Sequence, residues 1–291
     1  MALDSMQEIF ERIESEAKPF WRVVLETDLE ERQVTEAESL EKMRLTWAAM
    51  LESVEQYQAQ QRSVSGLVGG DGGKMRSYAA DGGSLCGAYL QEVIATALCV
   101  GESNACMRKI VAAPTAGACG VIPAVLVPLY QAGGADEEDI LRALYVSAGI
   151  GVVIGYRASI AGASGGCQAE IGTASAMAAG ALTALRGGSA AQIGHAVAMA
   201  LKNLMGLVCD PVAGLVEVPC VKRNVVGAVN AVSCADMALA GITSRIPVDE
   251  VIDCMGDVGR RMPVEFRETA LGGLAATPFG QSVKECMQAQ T

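Results

Sequence analysis

Two cysteines, Cys209 and Cys220, stand eleven residues apart in the segment CDPVAGLVEVPC. Pro211 and Pro219 stiffen this stretch, and Asp210, which precedes a proline, is pushed toward extended backbone. A rigid, mostly apolar loop that offers two thiols suits a metal site, because ligands must be positioned in advance and water excluded. The spacing is not that of a zinc ribbon or a ferredoxin, whose ligands come two to four residues apart. Buried thiols that merely pack are the other reading. Cys167 is a third candidate. It follows Gly162, Gly165 and Gly166 and precedes the helical pattern QAEIGTASAMAAGALTAL. A cysteine at a helix start feels the positive end of the dipole, which favours the thiolate, and the glycines let backbone N–H groups point at sulfur or at an anion. A glycine turn with a buried thiol would look the same.

The stretch APTAGACGVIPAVL has the grammar of an anion site. Ala116, Gly117 and Ala118 allow a ligand close to the backbone, Pro123 suits the first turn of a following helix, and Thr115 adds a hydroxyl. Free N–H groups there would serve a carboxylate; a tight interhelical turn is the alternative. In SGLVGGDGGKM the glycines permit unusual backbone angles while Ser65, Asp71 and Lys74 supply polar groups. It lacks the GxxxxGK[ST] pattern of a phosphate loop, and no strand leads into it as a dinucleotide fingerprint requires. A substrate loop or lid and a plain exposed loop both fit. His195 is the single histidine; it reads as structural, and its isolation excludes His-rich metal sites and disfavours a Ser–His–Asp hydrolase. No GxSxG elbow is present.

These loops need elements to hold them. Of the 291 residues, 51% are hydrophobic but only 4% aromatic, and 33 are glycine. Helix-period patterns dominate with no alternating strand series, so the expected fold is all-α, with tightly packed helices and the candidate loops between them. Residues 1–62 read as charged amphipathic helices, broken near Thr27–Asp28, packing on a main domain of residues 63–291. Helices are expected over Ser84–Val111, Pro123–Gln131, Asp136–Ile154, Gln168–Leu185, Ala190–Leu204, Asn224–Ala240 and Val248–Arg261. A net charge of -11 argues against nucleic acid and against an anionic membrane surface. The acidic N-terminus does not read as a signal peptide. The 14 residues from Ala143 to Tyr156 are too short for a bilayer span and read as a core helix. A cytoplasmic protein is expected, which makes disulfides improbable for its ten cysteines.

The strings KIVAAPTAGACGVIPAVL, GASGGCQAEIGTASAMAAGAL and CDPVAGLVEVPCVKRN closely resemble the signature segments of the iron–sulfur L-serine dehydratases, in their α-subunit or α-domain, and they come in the same order. The resemblance covers roughly residues 63–275. It implies that Cys167, Cys209 and Cys220 hold a [4Fe–4S] cluster with one iron left open as a Lewis acid. That iron would bind the hydroxyl of L-serine, a base would take the Cα proton, and loss of water would give an aminoacrylate that hydrolyses to pyruvate and ammonia. Pyridoxal phosphate is not required. Thr115, Ala116 and Gly117 would receive the substrate carboxylate, with Ser65 and Lys74 as candidates nearby, and the base is unassigned. Some members carry histidine where this chain has Lys202 and Asn203. Single-chain members also contain a β-domain with a Ser/His-rich motif that this chain lacks, which implies a separate β-subunit as partner. Cys286 is a candidate occupant of the open iron. Two other readings stay open: a cluster-dependent lyase of another small hydroxy or thiol amino acid, and a non-catalytic helical scaffold.

Overall fold

The fold rests on one helix that is apolar on every side. In the computed structural model, which describes residues 3–82 and 84–289, every residue from Thr173 to Thr183 is buried. A helix hydrophobic all round belongs inside a helical layer, and this one is flanked by four others. In chain order the helices are α1 (Met6–Glu16), α2 (Phe20–Arg32), α3 (Glu36–Glu55), α4 (Asp71–Ala80), α5 (Ala88–Ala105), α6 (Val121–Gln131), α7 (Glu137–Arg157), the single turn α8 (Gly162–Gly165), α9 (Thr173–Leu185), α10 (Ala190–Leu204), α11 (Cys220–Leu239), α12 (Val248–Arg261) and α13 (Pro278–Gln288). No strand occurs among the described residues; one isolated bridge joins Cys209 to Arg267. The all-α expectation holds.

The central helix is α9, with α6, α7, α10 and α11 around it. Small residues set the spacing. A Cβ on Gly151 of α7 would lie 2.9 Å from Met177 of α9, and one on Gly227 of α11 would lie 2.9 Å from Ile171. The N-terminal helices lie outside this layer, yet Met6, Ile9, Leu25 and Trp47 join the same continuous hydrophobic cluster as the helices around α9. Each such side chain contributes about 1.5–3 kcal/mol by burial. The carboxylate of Asp249 on α12 accepts from the N–H groups of Met6 and Gln7, at 2.9 and 3.0 Å, and so caps α1.

Several boundaries differ from expectation. The expected break near Thr27–Asp28 is not there: α2 runs through it, and the chain turns at Gln33, in the left-handed region (φ 56). A capping box of Thr35 and Glu38 then starts α3. The helix expected from Ser84 to Val111 is shorter at both ends, starting after Gly87 and stopping before Met107, whose φ of 59 cannot continue it. The helix expected from Asn224 begins at Cys220. The helix α7 is longer than its apolar stretch; an 18-residue window of it reaches a mean hydropathy of 1.4, enough in length and composition to cross a bilayer, with 61% of that window buried in this fold. The helices α4 and α13 were not expected. Of the stretch read as a glycine loop, residues 71–75 belong to α4. Residues 1, 2, 290 and 291, at the ends of the two expected regions, and Gly83 of the second Asp-Gly-Gly lie outside the described residues.

Candidate metal centre

Cys167, Cys209 and Cys220 are far apart in sequence and all three are buried. Each is held by a different device. Before Cys167 the chain makes the turn α8 and then Gly166, at φ 75. A Cβ on Gly166 would meet Met262 Sδ at 2.5 Å, so only glycine fits. Cys167 leads into a single π-turn, Gln168–Gly172, rather than directly into the α-helix the sequence suggested. Turns of this kind recur at functional sites, because they re-aim side chains. The buried Gln168 fixes it, donating to Met255 O at 3.1 Å and accepting from Gly206 N at 2.8 Å.

Cys209 is clamped through its backbone. Its N–H donates to Phe266 O and its carbonyl accepts from Glu268 N, both at 2.8 Å. Glu268 and Ala270, in that wall, have φ of 64 and 53, a region costly for residues other than glycine. Cys220 is the first residue of α11. Between the two cysteines the loop closes on itself through Val212 N to Val218 O at 2.9 Å. Arg223, one turn into α11, donates to Val208 O and to Asp210 Oδ1, each at 2.8 Å. The buried Asp210 also accepts from Leu274 N at 2.8 Å.

The third loop joins the same place. Asn224 donates to Gly117 O at 2.8 Å and to Cys220 O at 3.0 Å, and accepts from Gly120 N at 2.8 Å. One amide thus ties the 115–120 loop to the start of α11. Thr115 Oγ1 donates to Glu170 Oε1 at 2.7 Å. Ala116–Ala118 form a short 3-10 turn. Glu170 therefore stands where the three motifs meet: a Cβ on Gly162 would lie 2.7 Å from its Oε2 and 3.2 Å from Cys209 Sγ.

The electrostatics follow from this packing. The hydrogen bond from the Cys209 thiol, with help from the charge of Arg223, holds the Cys167 thiol below its usual value against burial. As the donor in that bond, Cys209 is pushed up, and burial adds to it. Burial and then the charge of Cys167 push Cys220 up to about 12. Burial alone would lower Arg223, but the charges of Cys167 and Asp210 outweigh it. Burial raises Glu170, the Thr115 hydrogen bond opposes, and the charge of Glu268 adds to the rise.

Among the described residues no three His, Cys, Asp or Glu side chains converge on one ion position. The three cysteines are therefore not arranged as a mononuclear site. Three buried thiols from separate segments, with a guanidinium beside them and no histidine, are a donor set that fits a larger sulfur-bridged iron cluster.

The other candidates divide. Ser65 and Ser63 both donate to the buried carboxylate of Glu217, in the loop between Cys209 and Cys220, Ser63 at 2.6 Å. Ser65 thus holds that loop. Lys74 is not brought to the cysteines: its ammonium pairs with Asp71 at 2.9 Å and its side chain is 76% exposed. The Thr115 hydroxyl is not a free donor, because it already donates to Glu170. His195 lies partly buried on α10 and makes no hydrogen bond with the site. Lys202 donates to Ser244 and Asn203 to Asn230 and Cys234. Cys286 lies exposed on α13. The sequence reading missed Glu170, Arg223 and Asn224. A signal for Glu170 existed, since it is the sole acidic residue between Asp139 and Asp210.

The family model for the serine dehydratase alpha chain matches residues 15–275. The L-serine dehydratase alpha chain of Peptoniphilus asaccharolyticus is 41% identical over 283 residues, covering 97% of each chain. A Bacillus subtilis protein named "Probable L-serine dehydratase, alpha chain" is 44% identical over 263 residues, 90% of this chain and 88% of that one. The L-serine dehydratase of Streptomyces coelicolor is 43% identical over 181 residues, 62% of this chain but only 40% of that protein.

Proposed function

We propose that this chain, which belongs to the serine dehydratase alpha chain family, is the α-chain of an L-serine dehydratase, a lyase that converts L-serine to pyruvate and ammonia. The observation that carries this reading is the meeting of three buried cysteines with the Thr115–Gly117 loop and Glu170. In this reading Cys167, Cys209 and Cys220 hold a [4Fe–4S] cluster, and no pyridoxal phosphate takes part. When bound, the cluster supplies a Lewis acid for the departing hydroxyl.

The chain's own residues do the rest. The glycine turn, the backbone clamp and the α11 terminus fix the three sulfurs, and Arg223 offsets their charge. The N–H groups of Ala116 and Gly117 open the 3-10 turn without a backbone acceptor among the described residues, which suits the carboxylate of L-serine. Ser65 and Glu217 brace the loop between Cys209 and Cys220.

A separate β-subunit completes the enzyme in this reading, which we place in the cytoplasm. It is supported by the relatives' names: the Peptoniphilus asaccharolyticus protein, matched over 97% of its length, is named an alpha chain. The test is iron and acid-labile sulfide after anaerobic purification, compared between wild type and Cys167→Ser, with pyruvate release from L-serine measured after adding the β-subunit. Near-stoichiometric iron and sulfide that the variant loses, with pyruvate from the wild type alone, is the expected result. Iron-free wild type after reconstitution with the partner would refute it.

A further inference from the structure

Glu170 is a carboxylate without a cation. Among the described residues its one hydrogen-bond donor is the Thr115 hydroxyl, and no lysine or arginine pairs with it. The guanidinium of Arg223, whose charge bears on Cys167, is already committed to Asp210 and Val208 O. The charge of Glu268 also bears on Glu170. A half-buried carboxylate facing further negative charge is costly unless something positive meets it. Among the described residues nothing positive pairs with it, so a cation carried by a ligand would find its partner here.

Only glycine backbone flanks the carboxylate on two sides: a Cβ at Gly162 would lie 2.7 Å from Oε2, and one at Gly117 3.4 Å from Oε1. Oε2 accepts no bond among the described residues, and the Thr115 oxygen, having donated its proton, keeps lone pairs. Two acceptors side by side suit a compact group with several N–H donors. We infer that Glu170, with the Thr115 hydroxyl, receives the α-ammonium of the amino-acid substrate and so makes the site select an amino acid over the corresponding hydroxy acid. This rests on the serine reading above and divides the labour of the loop: N–H groups of Ala116 and Gly117 for the carboxylate, Thr115 and Glu170 for the ammonium. It also accounts for Thr115 pointing its proton away from an incoming anion.

The experiment uses the holoenzyme assembled with the β-subunit under anaerobic conditions, as wild type and as Glu170→Gln. The probes are L-serine and L-glycerate, which differ only in the α-substituent. Glu170→Gln should keep its iron and sulfide, raise KM for L-serine at least tenfold, and leave the inhibition constant of L-glycerate within twofold. Equal weakening of both ligands would overturn the assignment, as would a fallen kcat with KM unchanged. Loss of iron from the variant would also overturn it, because the carboxylate would then serve the metal centre. Should Glu170→Gln fail to fold, Thr115→Val is held to the same split between the two ligands. A wild-type holoenzyme that releases no pyruvate from L-serine defeats the serine reading itself; an active wild type without the split defeats only this inference.

Discussion

Replacing Glu102 by glutamine should unfold α4 while leaving the helices around α9 intact. Glu102 is 1% exposed on α5 and has no ion pair among the described residues. Its Oε1 accepts from Asp71 N at 2.8 Å, and its Oε2 accepts from Gly72 N at 3.2 Å and from the Tyr57 hydroxyl at 2.5 Å. The carboxylate is thus the N-terminal cap of α4, delivered from another helix. Glutamine keeps one oxygen and sets an NH2 against a donor, so one or two of the three bonds are lost. At about 1.5–3 kcal/mol for each bond to a charged acceptor, the expected cost is about 1.5–6 kcal/mol. A ten-residue helix with two glycines has no intrinsic stability to set against that. Amide hydrogen exchange reads the outcome directly. Residues 71–80 should lose most of their protection in Glu102→Gln while α7, α9 and α10 keep theirs. The docking of Ser63 and Ser65 on Glu217 should loosen with it. Native protection over 71–80, with the urea midpoint unchanged, would show that α4 is held by something other than this cap.

Gly162→Ala should fold but carry less than half the wild-type iron, because its Cβ would sit 2.7 Å from Glu170 Oε2 and 3.2 Å from Cys209 Sγ; circular dichroism and iron assay together check this. Asp210→Asn removes the charge from a buried pair whose Arg223 side chain is only 14% exposed, so it should destabilise the chain by about 3 kcal/mol, read as a lower urea midpoint. Asn224→Ala leaves Gly120 N and Gly117 O without this partner; a loss of about 1–3 kcal/mol is expected, with a raised KM for L-serine in the assembled enzyme, and an unchanged KM would show that the 115–120 loop keeps its place without that amide. Gly72→Ala forces a Cβ to 2.6 Å from Cys99 Sγ, and overpacking of that kind should destabilise the chain by about 1–3 kcal/mol, read as a lower urea midpoint.

The helices of the core were readable in the chain because their pattern is local. The stretch TASAMAAGALTAL is apolar on every face, and wherever it lies it must be enclosed. The loops around the three cysteines and around Thr115–Gly117 could be picked out as well, by their glycines and prolines. Gly166, at positive φ and against Met262, is the clearest case. The tertiary structure decided what these pieces do together. Nothing local makes Asp71–Ala80 a helix; its cap is 31 residues away in sequence, and a cap from another helix leaves no mark in the segment it stabilises. Likewise Thr115 and Glu170 are 55 residues apart, and the fold alone makes one a donor to the other. A carboxylate in a sequence has only its own chemistry. Whether it is paired, and by what, depends on which charges the packing brings near it, and among the described residues none that is positive pairs with Glu170.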